Sequence, residues 1–207
     1  FPRGLSFIWK NPPADGKPMV KIKAPSTMLS RIAFRGDGSK MAAATNGVVM
    51  EAYSVLSDVW VTNLKVLAGG AAIRIAGQHN GWQLERTHVR GVWGEGAGLY
   101  VAPGGDCNAG CAIGLDISDV MEGPGLWDES FLGNSYFAAM IHQGQGNTSP
   151  AYVVNHTRIP PAGAGPATWV SYNGNNRSRF FGCYTEGDGT RPNTVGAPCA
   201  WFAGQGA

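Results

Sequence analysis

The segment Gly94-Glu95-Gly96-Ala97-Gly98-Leu99-Tyr100-Val101 decides the fold, because its last four residues recur. A small residue is followed by an apolar one, an outward-type one and often a second apolar one. The same order appears as Gly47-Val48-Val49-Met50, Ala72-Ile73-Arg74-Ile75 and Gly125-Leu126-Trp127-Asp128. The lead apolar residues Val48, Ile73, Leu99 and Leu126 are 25, 26 and 27 residues apart. Ala151-Tyr152-Val153-Val154, Ala167-Thr168-Trp169-Val170 and Ala200-Trp201-Phe202-Ala203 continue the series at less even spacing. A second series interleaves: Val61 to Val66, Leu84 to Val89 and Leu115 to Val120 each begin apolar and end in Val. Units this short cannot bury an apolar face alone and do so by stacking. Side chains alternate along a strand. Ile73, Ile75, Leu99 and Val101 are therefore expected to fill a continuous core, with Arg74, Tyr100 and Trp127 in an outward ladder. The expected fold is all-β, a single-domain solenoid over residues 1–207, with two or three strands per coil. Seven or eight coils at the spacing of neighbouring strands give a length of roughly 35 Å.

Composition agrees. Of 207 residues 31 are Gly and only 30 are charged, so the chain is rich in turn formers and poor in the charge that long helices use. A hydrophobic content of 43% with 7 Trp excludes a disordered chain. A formal charge of +2 without a basic cluster argues against nucleic acid. The longest stretch free of Gly and Pro, residues 48–68, carries Glu51, Asp58 and Lys65, so no membrane span is expected. The chain opens on Phe1 and reads as a piece of a longer protein. Cys107, Cys111, Cys183 and Cys199 suit either disulfides in an exported protein or free buried thiols.

The repeat resembles that of the pectate-lyase-like superfamily, which includes bacterial polysaccharide-active enzymes and phage tailspikes, and the resemblance implies a right-handed parallel β-helix. Phe1-Pro2-Arg3-Gly4 is similar to a segment that often starts the first coil in that family. Phe181-Gly182-Cys183-Tyr184-Thr185-Glu186-Gly187 resembles a late strand-and-turn segment of phage-type members. The resemblance implies an extracellular or virion protein that binds or degrades polysaccharide, as a glycoside hydrolase or polysaccharide lyase. The alternative is a non-catalytic structural or adhesion module. A homo-oligomer is a further expected partner, a trimer if tailspike-like. The family's catalytic motifs are missing: Arg158-Ile159-Pro160 begins a lyase-like segment, but Gly163 stands where a second Arg belongs.

Within this frame, a repeated corner supplies the candidate acids. Glu95-Gly96-Ala97-Gly98 and Glu122-Gly123-Pro124-Gly125 are 27 residues apart, and Glu186-Gly187-Asp188-Gly189 repeats the pattern. Stacked on adjacent coils, Glu95 and Glu122 would lie about 5 Å apart at the backbone, the separation of a retaining glycosidase pair. Carboxylates so placed would also suit Ca²⁺; no other cofactor or metal site is expected. Asp128 joins them as a candidate catalytic acid beside the ladder, with Glu129 following it. Arg74, Tyr100 and Trp127 are the candidate substrate-binding residues, since aromatic rings pack on sugar rings and Arg pairs with acidic sugars. Glu85 and Asp116 are expected to stack, each following an inward Leu. Residues 143–166 leave the repeat as a long excursion.

Overall fold

The computed structural model describes residues 4–11, 17–77, 80–103, 107, 109–130, 133–144, 147, 149, 152–154, 169–171, 178–186 and 201–202. β1 (Leu5–Ile8) and β2 (Val20–Ile22) form an incomplete turn. The first full coil is β3 (Thr27–Ser30), β4 (Ile32–Arg35) and β5 (Ala44–Met50). The second is β6 (Ser54–Ser57) and the long, bent β7 (Trp60–Ile75), which serves as two strands. Next come β8 (Gln83–Glu85), β9 (His88–Trp93) and β10 (Ala97–Val101), then β11 (Cys111–Ile113), β12 (Asp116–Val120) and β13 (Leu126–Asp128). The fifth coil is β14 (Ser135–Phe137), β15 (Met140–Gln143) and β16 (Tyr152–Val154). β17 (Trp169–Ser171), β18 (Arg179–Phe181), β19 (Tyr184–Glu186) and β20 (Trp201–Phe202) follow. Among the described residues the only helical element is one 3-10 turn, Gly38–Lys40.

Among the described residues every pairing is parallel. The chain is thus an all-β parallel solenoid with three strips. The first strip holds β3, β6, β8, β11, β14 and β18. The second holds β4, the start of β7, β9, β12, β15 and β19, and the third β5, the end of β7, β10, β13, β16, β17 and β20. Among the described residues about five complete coils form, where seven or eight were expected for the whole chain. The third strip continues with β17, which pairs directly with β16, Tyr152 opposite Trp169, 17 residues on.

The third strip follows the expected register. Val48, Ile73, Leu99, Leu126 and Tyr152 align and are fully buried. The second strip does not. Val61 aligns with Val89 and Ile117, and Leu64 with Val92 and Val120. Leu84 belongs to the first strip, facing Leu56 and Ala112. Glu85 therefore aligns with Ser57 and Ile113, while Asp116 aligns with His88, and the expected Glu85–Asp116 stack does not exist.

Two backbone devices bend each coil. Between the first and second strips, Arg31, Asp58, Arg86, Gly114, Ala138 and Gly182 all take left-handed φ, from 43° to 62°. Each of the first five donates its N–H to the residue before its counterpart on the next coil, as Arg86 N to Ile113 O at 2.8 Å and Ala138 N to Phe181 O at 2.8 Å. Within the second strip, Asn63, Gly91 and Asp119 form another left-handed column at 54°, 71° and 56°. These residues kink the strip in the same place on three coils while keeping register; a true bulge occurs against β15, where the register shifts between Ser118 and Val120. The recurring glycines of the third strip have a different cause. A Cβ on Gly98 would lie 2.5 Å from Ile117 Cγ2 and 2.7 Å from Gly125 O, so Gly is required there by close approach.

Cys111 and Cys183 are free thiols, and the buried Cys107 thiol donates to Gly77 O at 3.1 Å. Burial pushes those of Cys111 and Cys183 up. Cys199, Gly187 to Gly189 and most of the expected excursion lie outside the described residues. No described helix is long and apolar enough to cross a membrane.

Candidate functional site

The expected outward ladder forms, but it is closed. Arg74, Tyr100 and Trp127 occupy matching positions on successive coils. The Arg74 guanidinium lies 5.1 Å from the Tyr100 ring centre, and the Tyr100 and Trp127 rings are 4.7 Å apart. Tyr100 and Trp127 are each only 7% exposed and pack with Ala71, Ala97 and Ala102. An open aromatic face for a sugar was expected here, and these rings spend their faces on each other and on Arg74 instead. The Tyr100 hydroxyl donates to Glu129, also 7% exposed. Burial raises the Glu129 carboxyl above the usual glutamate range; the Tyr100 hydrogen bond and the Arg74 charge oppose that shift. Burial, then the bond to Glu129, pushes the Tyr100 phenol up as well.

Asp128 faces the other way. It ends an inward-outward-inward alternation, Leu126, Trp127, Asp128, and is fully buried. Ser130 donates to Oδ1 through its backbone N–H and hydroxyl at 2.9 and 2.6 Å. Asn134, Tyr136 and Ser178 donate to Oδ2 at 3.1, 2.8 and 2.8 Å. Asp128 is thus the hub of an interior polar network, out of reach of a polymer. The parity of one residue decides this: Glu129, not Asp128, joins the ladder.

Glu95 and Glu122 are exposed at their corner. The two corners adjoin, since a Cβ on Gly123 would collide with the carbonyl oxygens of Glu95 and Gly96. Asn147 secures the second corner, its amide donating to Val120 O and Gly123 O at 2.7 and 2.8 Å. Among the described residues no three His, Cys, Asp or Glu side chains gather as a metal-ligand group.

An open groove lies elsewhere, on the second strip. It encloses about 580 Å³ and is lined by Trp60, Thr62, Asn63, Arg90, Gly91, Trp93, Asp119 and Met121. These residues come from three successive coils, so the groove runs along the solenoid axis. Its floor is the left-handed column Asn63, Gly91 and Asp119. Gly91 leaves room for the Asn63 amide, since a Cβ there would lie 2.6 Å from Asn63 Oδ1. Trp60 stands on one side, stacked on His88 with ring centres 4.1 Å apart. His88 Nδ1 is in turn 3.2 Å from Asp116 Oδ2. Arg90 Nε donates to Asp119 Oδ2 at 3.0 Å, and the two side chains are 66% and 52% exposed. Sequence reading missed this groove. Its only signal was the 28-residue spacing of Asn63, Gly91 and Asp119, three turn-type residues inside apolar strands.

Fold and groove together define a parallel β-solenoid that presents a mixed aromatic and polar channel along its axis. The chain matches no family model, no curated protein and no solved structure.

Proposed function

We propose that this solenoid is a glycan-binding β-helix, akin to the pectate-lyase-like proteins it resembles and acting outside the cell or on a virion. One observation carries the reading: the open groove brings Trp60 and Trp93 to the same channel as Asn63, Arg90 and Asp119. Aromatic surface beside convergent hydrogen-bonding groups is the chemistry that holds a sugar. The strands beneath are paired on both sides, β9 between β7 and β12. They offer no free backbone edge for an added peptide strand. Intrinsic fluorescence titration against neutral and acidic plant and bacterial polysaccharides tests the proposal. At least one should bind the folded protein and lose affinity in Trp60→Phe and Arg90→Gln. Silence across the whole panel overturns it.

A hydrolase reading rests on Glu95 and Glu122, which are exposed at adjoining corners; Glu129, 7% exposed in the closed ladder, is out of reach of a polymer. Release of reducing ends that Glu122→Gln abolishes would establish it. Binding without release of reducing ends or of unsaturated product leaves the binding reading alone.

A further inference from the structure

We infer that the groove on the second strip takes a neutral, extended oligosaccharide lying parallel to the solenoid axis, and that Arg90 and Asp119 act together as a reader of adjacent hydroxyls. This rests on the glycan-binding reading above and narrows it to a ligand class and a direction.

The direction follows from the floor. Asn63, Gly91 and Asp119 sit at equivalent places on three successive coils. Their backbones span about 10 Å along the axis, two strand spacings. An extended chain of sugar rings advances by a similar distance per ring as the solenoid does per coil. Successive rings would then meet Asn63, Arg90 and Asp119 in turn. A ligand crossing the axis would instead run into Trp60 or Trp93 at the sides.

The neutrality follows from the charge. The one cation lining the groove, Arg90, is paired with the one anion lining it, Asp119. Nearby, His88 is held by Asp116, which also accepts from the Ser118 hydroxyl at 3.3 Å. A carboxylate or sulfate on the ligand would have to displace Asp119 from Arg90 or lie against it. A hydroxyl has no such conflict. The pair uses Arg90 Nε and Asp119 Oδ2, and the terminal guanidinium N–H groups and Asp119 Oδ1 make no other hydrogen bond among the described residues. That leaves donors and an acceptor side by side, the complement of two neighbouring sugar hydroxyls, each of which both donates and accepts. The Asn63 carboxamide, likewise without a partner among the described residues, adds a donor and an acceptor one coil away.

The test is calorimetric titration of the intact protein with hexasaccharides of three kinds. The first are neutral and extended (β-1,4-linked glucose, xylose and mannose), the second neutral and coiled (α-1,4-linked glucose), the third acidic (α-1,4-linked galacturonate). At least one extended neutral hexamer should bind with a dissociation constant below about 1 mM, nearly independent of salt. Asp119→Asn and Asn63→Gly both suit the left-handed backbone there, so folding is retained and checked by thermal melting. Asp119→Asn should weaken the neutral ligand about tenfold. An anionic ligand would respond oppositely, gaining affinity as Arg90 is released and losing it with salt. If only the acidic hexamer binds, or if Asp119→Asn improves binding, this inference is overturned while glycan binding stands. If no hexamer and no polysaccharide binds, both fall.

Discussion

At the scale of single residues, the parity of a strand separates two neighbouring carboxylates. Asp128 turns inward and finds five donors, whereas Glu129 turns outward to Tyr100 under Arg74. Burial raises the Glu129 carboxyl in the folded protein. A group whose folded value is raised contributes stability fully below its unfolded value, about 4.3 for Glu, and loses it as pH climbs through the folded value. Glu129→Gln mimics the protonated form and removes this dependence. The melting temperature of the native protein relative to Glu129→Gln should therefore fall as pH is raised from 4 towards 8. A constant difference across that range would show that the carboxyl is not raised. The sequence placed Arg74, Tyr100 and Trp127 in one ladder correctly, because alternation and spacing alone fix that. Their burial was not legible, because it comes from the rings packing on each other and on Ala71, Ala97 and Ala102, which alternation and spacing do not give.

At the scale of elements, left-handed corners and kinks carry the design. The third strip was readable because its strands combine apolar alternation with a near-constant spacing, as in Ile73, Leu99 and Leu126. The first strip was not, because strands of three residues such as β8 and β11 hold one inward side chain each, Leu84 and Ala112. The left-handed corners also hid themselves. Gly114 and Gly182 advertise such a turn, but Arg31, Asp58, Arg86 and Ala138 do not. At Asp58 and Arg86 the side chains add a two-pronged ion pair, 2.7 and 3.0 Å, which holds the Asp58 carboxyl below its usual range. Ala138 has no such use for its side chain and sits exposed at φ 49°. Ala138→Gly should stabilise the protein by about 1 kcal/mol, since an L side chain in that region is strained. Gly98→Ala should do the reverse, by about 1–3 kcal/mol, because the new methyl has only Ile117 and the Gly125 carbonyl to displace. Urea melts of the two variants check both signs; equal midpoints would refute the two different causes assigned to these positions.

At the scale of the whole molecule, a solenoid is stable in proportion to how well each coil grips the next. Most coils here are joined by apolar columns such as Val61, Val89, Ile117 and Ile141. The junction at β13, β14 and β18 is different. Ser178 donates to Asp128 across 50 residues of chain, and its hydroxyl accepts from Asn134 N at 3.0 Å. Asn134 Oδ1 in turn accepts from Gly110 N at 2.8 Å. One carboxylate thus ties the chain that returns at Ser178 to the coil of β11 to β13. Burial and the neighbouring Asp128 charge hold the Tyr136 phenol well above its usual value, so it stays a donor. Asp128→Ala removes the acceptor and leaves the hydroxyls of Ser130 and Tyr136 and the Asn134 amide buried without it. Each buried donor left without its acceptor costs about 1–3 kcal/mol. Because coils couple only to their neighbours, the loss should be local. Hydrogen exchange in Asp128→Ala should quicken in β14 and β18 while β6 to β9 keep native protection. Uniform acceleration along the chain would mean that the solenoid unfolds as one unit and that Asp128 serves the whole core. Native protection at β14 and β18 in the variant would mean that apolar stacking alone, Tyr136 on Phe180 with ring centres 4.8 Å apart, carries that junction.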